Sequence, residues 1–192
     1  MSRFLFTTYR DKAIAKRALI RLLQNAHAGE KAAANAYFGH GHSLFVRDKT
    51  EKQEIYKIYL EELHHRERLA EFLIKLGSKP RVLREIGMWF IGFFIGVFSF
   101  IGTWLIPMYG AGRLESTNIG EYEVAARLAW LAGEDEIIEE LLLFAEVEWD
   151  HELYFREKTL THPLGKHIPL WVKPASKEQI RSSFFAFKKE HS

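Results

Sequence analysis

Apolar side chains recur along most of this chain at steps of three and four, the spacing of one helix face. Between about Glu51 and Leu76 one stripe reads Ile55, Ile58, Glu62, His65, Leu69, Phe72, Leu76. Another runs Ile137, Leu141, Phe144, Glu148, His151, Phe155. Earlier in the chain Leu19, Leu23, Ala26, Glu30, Ala33 and Tyr37 share a face, and later Glu121, Val124, Leu128 and Leu131 do. The pattern predicts four amphipathic helices. The first spans 12–40 and stops in the Gly-His-Gly-His run; the second spans 51–76, with Gly77 as C-cap and Pro80 beyond it. The third is capped by Thr117 or Asn118 and reaches Ala132; the fourth spans 136–160, after the turn Gly133-Glu134-Asp135. Pro163, Pro169 and Pro174 interrupt a remainder without strong pattern. No strand series and no Gly-rich phosphate loop appears. The predicted fold class is all-α: a four-helix bundle within 1–160, and a tail over 161–192 with no assigned role.

Two stripes break their own rule. An ionised Glu on a core face costs several kcal/mol unless it is paired or bound to a metal. Yet Glu62 and His65 sit one turn apart in the middle of an apolar stripe, and Glu148 and His151 repeat this. The overlapping pair Glu61/His64 shares its face with Lys57, Arg68, Glu71 and Lys75, which marks it as solvated. Glu146 and Asp150 fall off the fourth stripe and are expected outside. Glu123 lies four residues before Arg127, the spacing of a surface ion pair.

The halves also resemble each other. AGEKAAANAYFG around Glu30 parallels IGEYEVAARLAWLAG around Glu121, and each precedes a Glu-x-x-His pair. Two copies of one helical hairpin would bring four Glu and two His together: Glu30, Glu62, His65, Glu121, Glu148 and His151. That is the ligand pattern of a dinuclear carboxylate site, with one Glu from each of two helices and Glu-x-x-His from the other two. Four carboxylates balance two divalent ions, and oxygen with imidazole donors suits iron or manganese.

Composition narrows the chemistry. There is no cysteine among the 192 residues, which excludes disulfides, thiolate zinc sites, iron–sulfur clusters and a Cys nucleophile. Net charge is only +2 but uneven: residues 1–80 hold 15 Lys/Arg against 9 Asp/Glu, and residues 81–192 hold 12 against 16. The basic half reads as a solvated helical surface or a face toward anionic lipid or nucleic acid. Its first stretch, SRFLFTTYRDKAIAKRALIRLL, is amphipathic: the start of the first helix, a lipid-surface helix or a transit-type segment.

From Ile86 to Gly112 there is no charged residue. Residues 86–107 as one helix would span about 33 Å, enough for a bilayer. A single crossing would put Glu30, Glu62 and His65 on one side and Glu121, Glu148 and His151 on the other, so no six-residue site could form. The block is therefore expected as an extra apolar helix between the hairpins. Trp89, Trp104 and the Phe-rich faces suit a membrane surface, a substrate tunnel or a dimer seam. Gly92-x-x-x-Gly96 permits a close helix contact.

On these residues the chain resembles the ferritin-like di-iron superfamily, and within it the demethoxyubiquinone hydroxylase family of ubiquinone biosynthesis. His27-Ala28-Gly29-Glu30 matches the family's entry to its first ligand, and Tyr37 matches a Tyr two turns on. Glu62/His65 through Leu69 to Pro80, the apolar segment opening with Trp89, and Glu148/His151 match in order. Where the family has His and Tyr about two turns after the third-helix Glu, this chain has Arg127 and Leu128. The resemblance implies a ferritin-like bundle holding two Fe ions, with Mn as the variant. Glu62 and Glu148 would bridge, Glu30 and Glu121 would be terminal, and His65 and His151 would each hold one ion. His27 would lie behind the ligands or be partly buried; Tyr37 would orient a ligand, line the pocket or pack. It implies a monooxygenase that takes O2 and electrons from an external donor and hydroxylates a lipophilic, quinone-like ring. It further implies a homo-oligomer, cytoplasmic and peripheral at the inner membrane, with nucleic acid an improbable partner. Other readings are a ferroxidase, a peroxidase, a tRNA hydroxylase or a non-enzymatic membrane-associated helical protein.

Overall fold

A computed structural model describes residues 7–46 and 48–191. Among them the chain is all-α, with six helices and no strand. They are α1 (Lys12–Gly41), α2 (Lys49–Lys75), α3 (Val82–Ile101), α4 (Leu105–Ala132), α5 (Ile138–Thr161) and α6 (Lys177–His191). The opening residues of the amphipathic N-terminal stretch lie outside the described residues; from Lys12 onward it is α1.

α1, α2 and α5 stand close to where the hydrophobic pattern puts them. Asp48 caps α2, its carboxylate accepting from the N–H of Thr50 at 2.7 Å and of Glu51 at 3.3 Å. At the other end Gly77, at φ 75°, takes the left-handed conformation that lets Ser78 N–H reach Leu73 O at 2.8 Å. Gly133 closes α4 in the same way.

The apolar block folds differently from expectation. The helix anticipated over 86–107 begins earlier, at Val82, and ends at Ile101; a second helix, α4, starts already at Leu105. Gly102, Thr103 and Trp104 make the corner. Trp104 pins it: its indole N–H donates to Glu51 at 2.5 Å, and its ring stacks on His162 at 5.6 Å. Thr117 and Asn118 are therefore not caps but lie inside α4. Thr117 Oγ1 donates back to Arg113 O, and Asn118 Nδ2 donates to Glu115 at 2.8 Å. The charge-free run hid the start of α4, because nothing polar marks its first turn. The segment 161–192 also holds more order than its prolines suggest, since it carries α6, with Ile180, Phe184 and Phe187 buried.

The chain forms two compact units, and the division falls within α1, α4 and α5. The first unit comprises Met1–Leu22, Gly112–Tyr154 and Leu170–Ser192. Ala15, Leu131 and Phe187 meet in its core, with Tyr9 and Trp130 against them. Arg181 of α6 donates to Glu139 and to Glu146, each at 2.6 Å, and these bonds push its pKa up further. Glu146 is thus half-buried under α6 rather than exposed, while Asp150 is exposed and pairs with Lys177. The Glu123–Arg127 pair exists at 3.5 Å but is no surface pair. Arg127 is buried, bonded to Ser183 at 3.1 Å and lying over the Phe187 ring, because α6 covers it.

The second unit comprises Leu23–Ala111 and Phe155–Pro169. Here α3 lies on α1 through its smallest residues. Only Gly92, Gly96 and Ser99 of α3 are buried. A Cβ at Gly92 would sit 2.5 Å from Ala32 Cα, and one at Gly96 2.5 Å from Asn35 O. The Gly-x-x-x-Gly pair thus serves a contact within the chain. Glu85 and Met88 are half-buried, and the rest of α3 is exposed, including Leu83, Phe90, Phe94, Phe98 and Ile101.

Two outcomes follow from this packing. Gly96→Leu is expected to destabilise the protein by about 1–3 kcal/mol through overpacking against α1, read as a shifted denaturant midpoint; an unchanged midpoint would disprove the contact. His40 is 2% exposed, and its Nε2 makes no hydrogen bond among the described residues; burial pushes its pKa down to about 4 from 6.5. Between those values the unfolded chain takes up a proton that the folded one refuses. Stability should therefore be constant above pH 6.5 on this account and fall by about 3 kcal/mol on acidification to pH 4. Urea melts of His40→Leu should lose that slope.

Candidate metal centre

Every residue of the Glu62/His65 stripe faces inward in α2, from Ile55 to Leu76. Glu62 is 0% and His65 2% exposed. Neighbours off the stripe behave as periodicity dictates: His64 is exposed and Glu61 half-buried, 3.8 Å from Lys57. α1 brings Glu30, 3% exposed, to the same place. Ligand atoms of Glu30, Glu62 and His65 all lie within 4.8 Å of one another. These three form a triad in the second unit.

The first unit holds its counterpart. The Ile137–Phe155 stripe of α5 is buried along its whole length, including Glu148 at 0% and His151 at 3%. The carboxylate that α4 adds is Glu115, 0% exposed, and ligand atoms of Glu115, Glu148 and His151 again lie within 4.8 Å of one another. His151 Nδ1 is 3.5 Å from Glu148.

Glu121, the acid expected from this helix, is half-buried and six residues further on. At 100° per residue that places it about 120° around α4 from Glu115. The sequence did carry the signal. Met108, Gly112, Glu115, Ile119, Tyr122, Ala126 and Ala129 alternate by four and three, and all are buried. A helix capped at 117–118 leaves Glu115 outside it, which is why the expectation falls on Glu121. Spacing also favours Glu115: Glu30 precedes Glu62 by 32 residues, Glu115 precedes Glu148 by 33, and Glu121 precedes it by only 27. Tyr37 and Tyr122 then each stand seven residues after their Glu, 3% and 2% exposed. Tyr37 stacks on Phe155 at 5.5 Å and Tyr122 meets Phe144 edge-on at 5.4 Å, so both serve packing.

The donor set fits a hard or borderline divalent cation: two carboxylates and one imidazole in each triad, with no sulfur. The electrostatics of the first triad point the same way. Burial pushes the Glu115 pKa well up, and the Glu148 charge and a hydrogen bond with Glu148 add to this. Two buried carboxylates in contact must share a proton or a metal ion. Asn118 steadies Glu115 by donating to its carboxylate at 2.8 Å.

His27 faces away from a ligand role. Its Nδ1 lies 2.7 Å from Glu85 of α3, and Arg66 donates both to His27 O and to Glu85, each at 2.6 Å. Burial lowers the His27 pKa, which keeps the ring a neutral Nδ1–H donor. Burial opposes the Glu85 charge, but the bonds from Arg66 and His27 outweigh it and hold its pKa low. Since Arg66 follows His65 directly, this network fixes the backbone beside a ligand.

The first unit uses a different brace. The residue after each ligand holds the segment 171–175. Ser116 Oγ donates to Val172 O at 3.4 Å, Trp149 N–H donates to Ala175 O at 2.8 Å, and Trp171 N–H donates to the buried Glu152 at 2.6 Å. This strap, with Pro174 within it, runs without helix beside the triad's neighbours.

The protein is therefore an all-helical chain with buried Glu/His clusters able to bind metal. Compared with protein-family models, with curated proteins and with solved structures, it matches none. Metal titration followed by calorimetry distinguishes the two acids of α4. Glu115→Gln should weaken binding by at least the roughly tenfold that loss of an outer-shell partner costs, and Glu121→Gln should leave it near wild type. Because Glu115 gives up its proton to the metal, affinity should rise with pH. A larger loss from Glu121→Gln would reverse the assignment.

Proposed function

We infer that this chain is a di-iron, O2-dependent monooxygenase that hydroxylates a lipophilic, quinone-like ring at a membrane surface. The reading rests on one observation: each unit buries a Glu, Glu, His triad on otherwise apolar faces. Together the triads offer four carboxylates and two imidazoles, the charge and donor count of two iron ions. In this reading Glu115 takes the place in the ligand set that Glu121 was expected to hold. The likeness to the demethoxyubiquinone hydroxylases, including the Glu–Tyr spacing that Glu115 and Tyr122 restore, supports the class of chemistry.

Bound iron would supply the reducing electrons that O2 activation needs. The chain's own residues supply the surroundings. Six ligands no more than 3% exposed keep bulk water from the reacting oxygen. Arg66, His27 and Glu85 in the second unit, and the 171–175 strap in the first, hold ligand-bearing turns in place. The chain has no cysteine to carry a thiolate redox centre, so turnover draws electrons from an external donor. α3 is long and apolar enough to cross a membrane by length and composition. Its exposed aromatic surface supports a place in the lipid interface, where a greasy substrate resides.

Anaerobic loading with iron(II), followed by O2, is the test. Two irons per chain, O2 uptake and a quinone-ring product heavier by one oxygen atom are expected. Glu62→Ala and Glu148→Ala should each bind less iron. Full iron in both variants would sink the ligand assignment. O2 uptake without ring product would favour a ferroxidase, and a protein that takes no iron would favour the non-enzymatic membrane reading.

A further inference from the structure

Basic residues gather around the start of α3. In the second unit, an open cleft of about 360 Å³ lies at this end of the helix. That is at the low end of the roughly 300–1,000 Å³ typical of small-ligand sites, room for a headgroup rather than a whole lipid. One wall is polar, with Lys31, Arg66 and Glu85; the other is apolar, with Val82, Ile86 and Trp89.

The polar wall is built for an anion. Arg66 is held by its bonds to His27 O and Glu85, with Nη1 also 3.1 Å from His27 Nδ1, and these leave its Nε–H and a second Nη2–H as further donors. Lys31 makes no ion pair among the described residues. The cleft lining therefore carries a net +1, and the exposed Lys79, Arg81 and Arg84 stand in the segment that enters α3. The apolar wall runs directly into the exposed surface of α3, where Leu83 is 86% and Phe94 65% exposed. Cations at one end of an apolar helix mark the depth of lipid headgroups.

We propose that this cleft binds the phosphate headgroup of an anionic phospholipid, clamped between Lys31 and Arg66 while the acyl chains lie along α3. The proposal rests on the membrane-surface reading above and adds a charge preference to it. Arg66 supplies a fixed guanidinium, Lys31 the mobile counter-charge, and Trp89 the interfacial ring beside them. A zwitterionic headgroup brings its own cation into the same space and is bound less well.

Flotation of the full chain with liposomes reads both ideas separately. Vesicles of phosphatidylcholine alone are compared with vesicles containing phosphatidylglycerol. Wild type should bind both and prefer the anionic ones. Lys31→Glu should cut that preference by about thirtyfold, as expected for a change of two charges near the surface, while binding to phosphatidylcholine stays. Lys31→Gln, which keeps the stem and a folded cleft by circular dichroism, should lose part of it. Lys52→Glu, the same charge change on the exposed face of α2, should lose much less. Equal losses from Lys31→Glu and Lys52→Glu would overturn the clamp. Suppression of the preference by inorganic phosphate, beyond that of chloride at equal ionic strength, would assign the cleft to free phosphate and overturn the lipid. Equal binding to both vesicles would overturn the headgroup inference alone. Binding to neither would overturn the membrane reading with it.

Discussion

Burying carboxylates is the constraint around which this chain is arranged. Glu62, Glu115 and Glu148 are fully shielded from water and Glu30 nearly so. Such groups destabilise a fold unless neutralised by protons, partners or cations. The neighbourhood of each triad answers that cost. Apolar stripes exclude water, Asn118 shares the load at Glu115, and ionic or indole hydrogen bonds fix the adjoining residues. A fold that spends so much polar bracing on a few acids is organised around them.

The two triads are alike in composition and unlike in support. In the second unit an Arg–Glu–His network joins α1, α2 and α3. In the first, the 171–175 strap does the bracing through backbone carbonyls and an indole. The ligands follow a repeated hairpin, with separations of 32 and 33 residues. The supports do not repeat, because each unit recruits whatever chain lies beside it.

Much of this was legible in the residues. α2 and α5 could be read nearly to their ends, because their stripes alternate strictly with charge and their ligands interrupt it. Glu62, His65, Glu148 and His151 were visible for the same reason. α4 was not, since a charge-free run carries no contrast between faces, and its first turns passed for the end of the preceding apolar helix. That error moved the expected acid from Glu115 to Glu121. His27 could be placed on the right face, but its partner Glu85 arrives from α3, and no local pattern encodes a contact made by a distant helix. The strap was invisible because its role depends on carbonyl groups, which every sequence possesses.

The first unit's make-up has a consequence for synthesis. Ala15 shares a core with Phe187, and the strap that steadies Glu115, Glu148 and His151 precedes α6. At roughly 5–20 residues per second, the opening of α1 waits on the order of ten seconds for its partner to emerge. The second unit, assembled mostly from one continuous stretch, can form sooner. The aromatic face of α3, exposed in the completed fold, is thus already on display while the first unit still waits for its last helix.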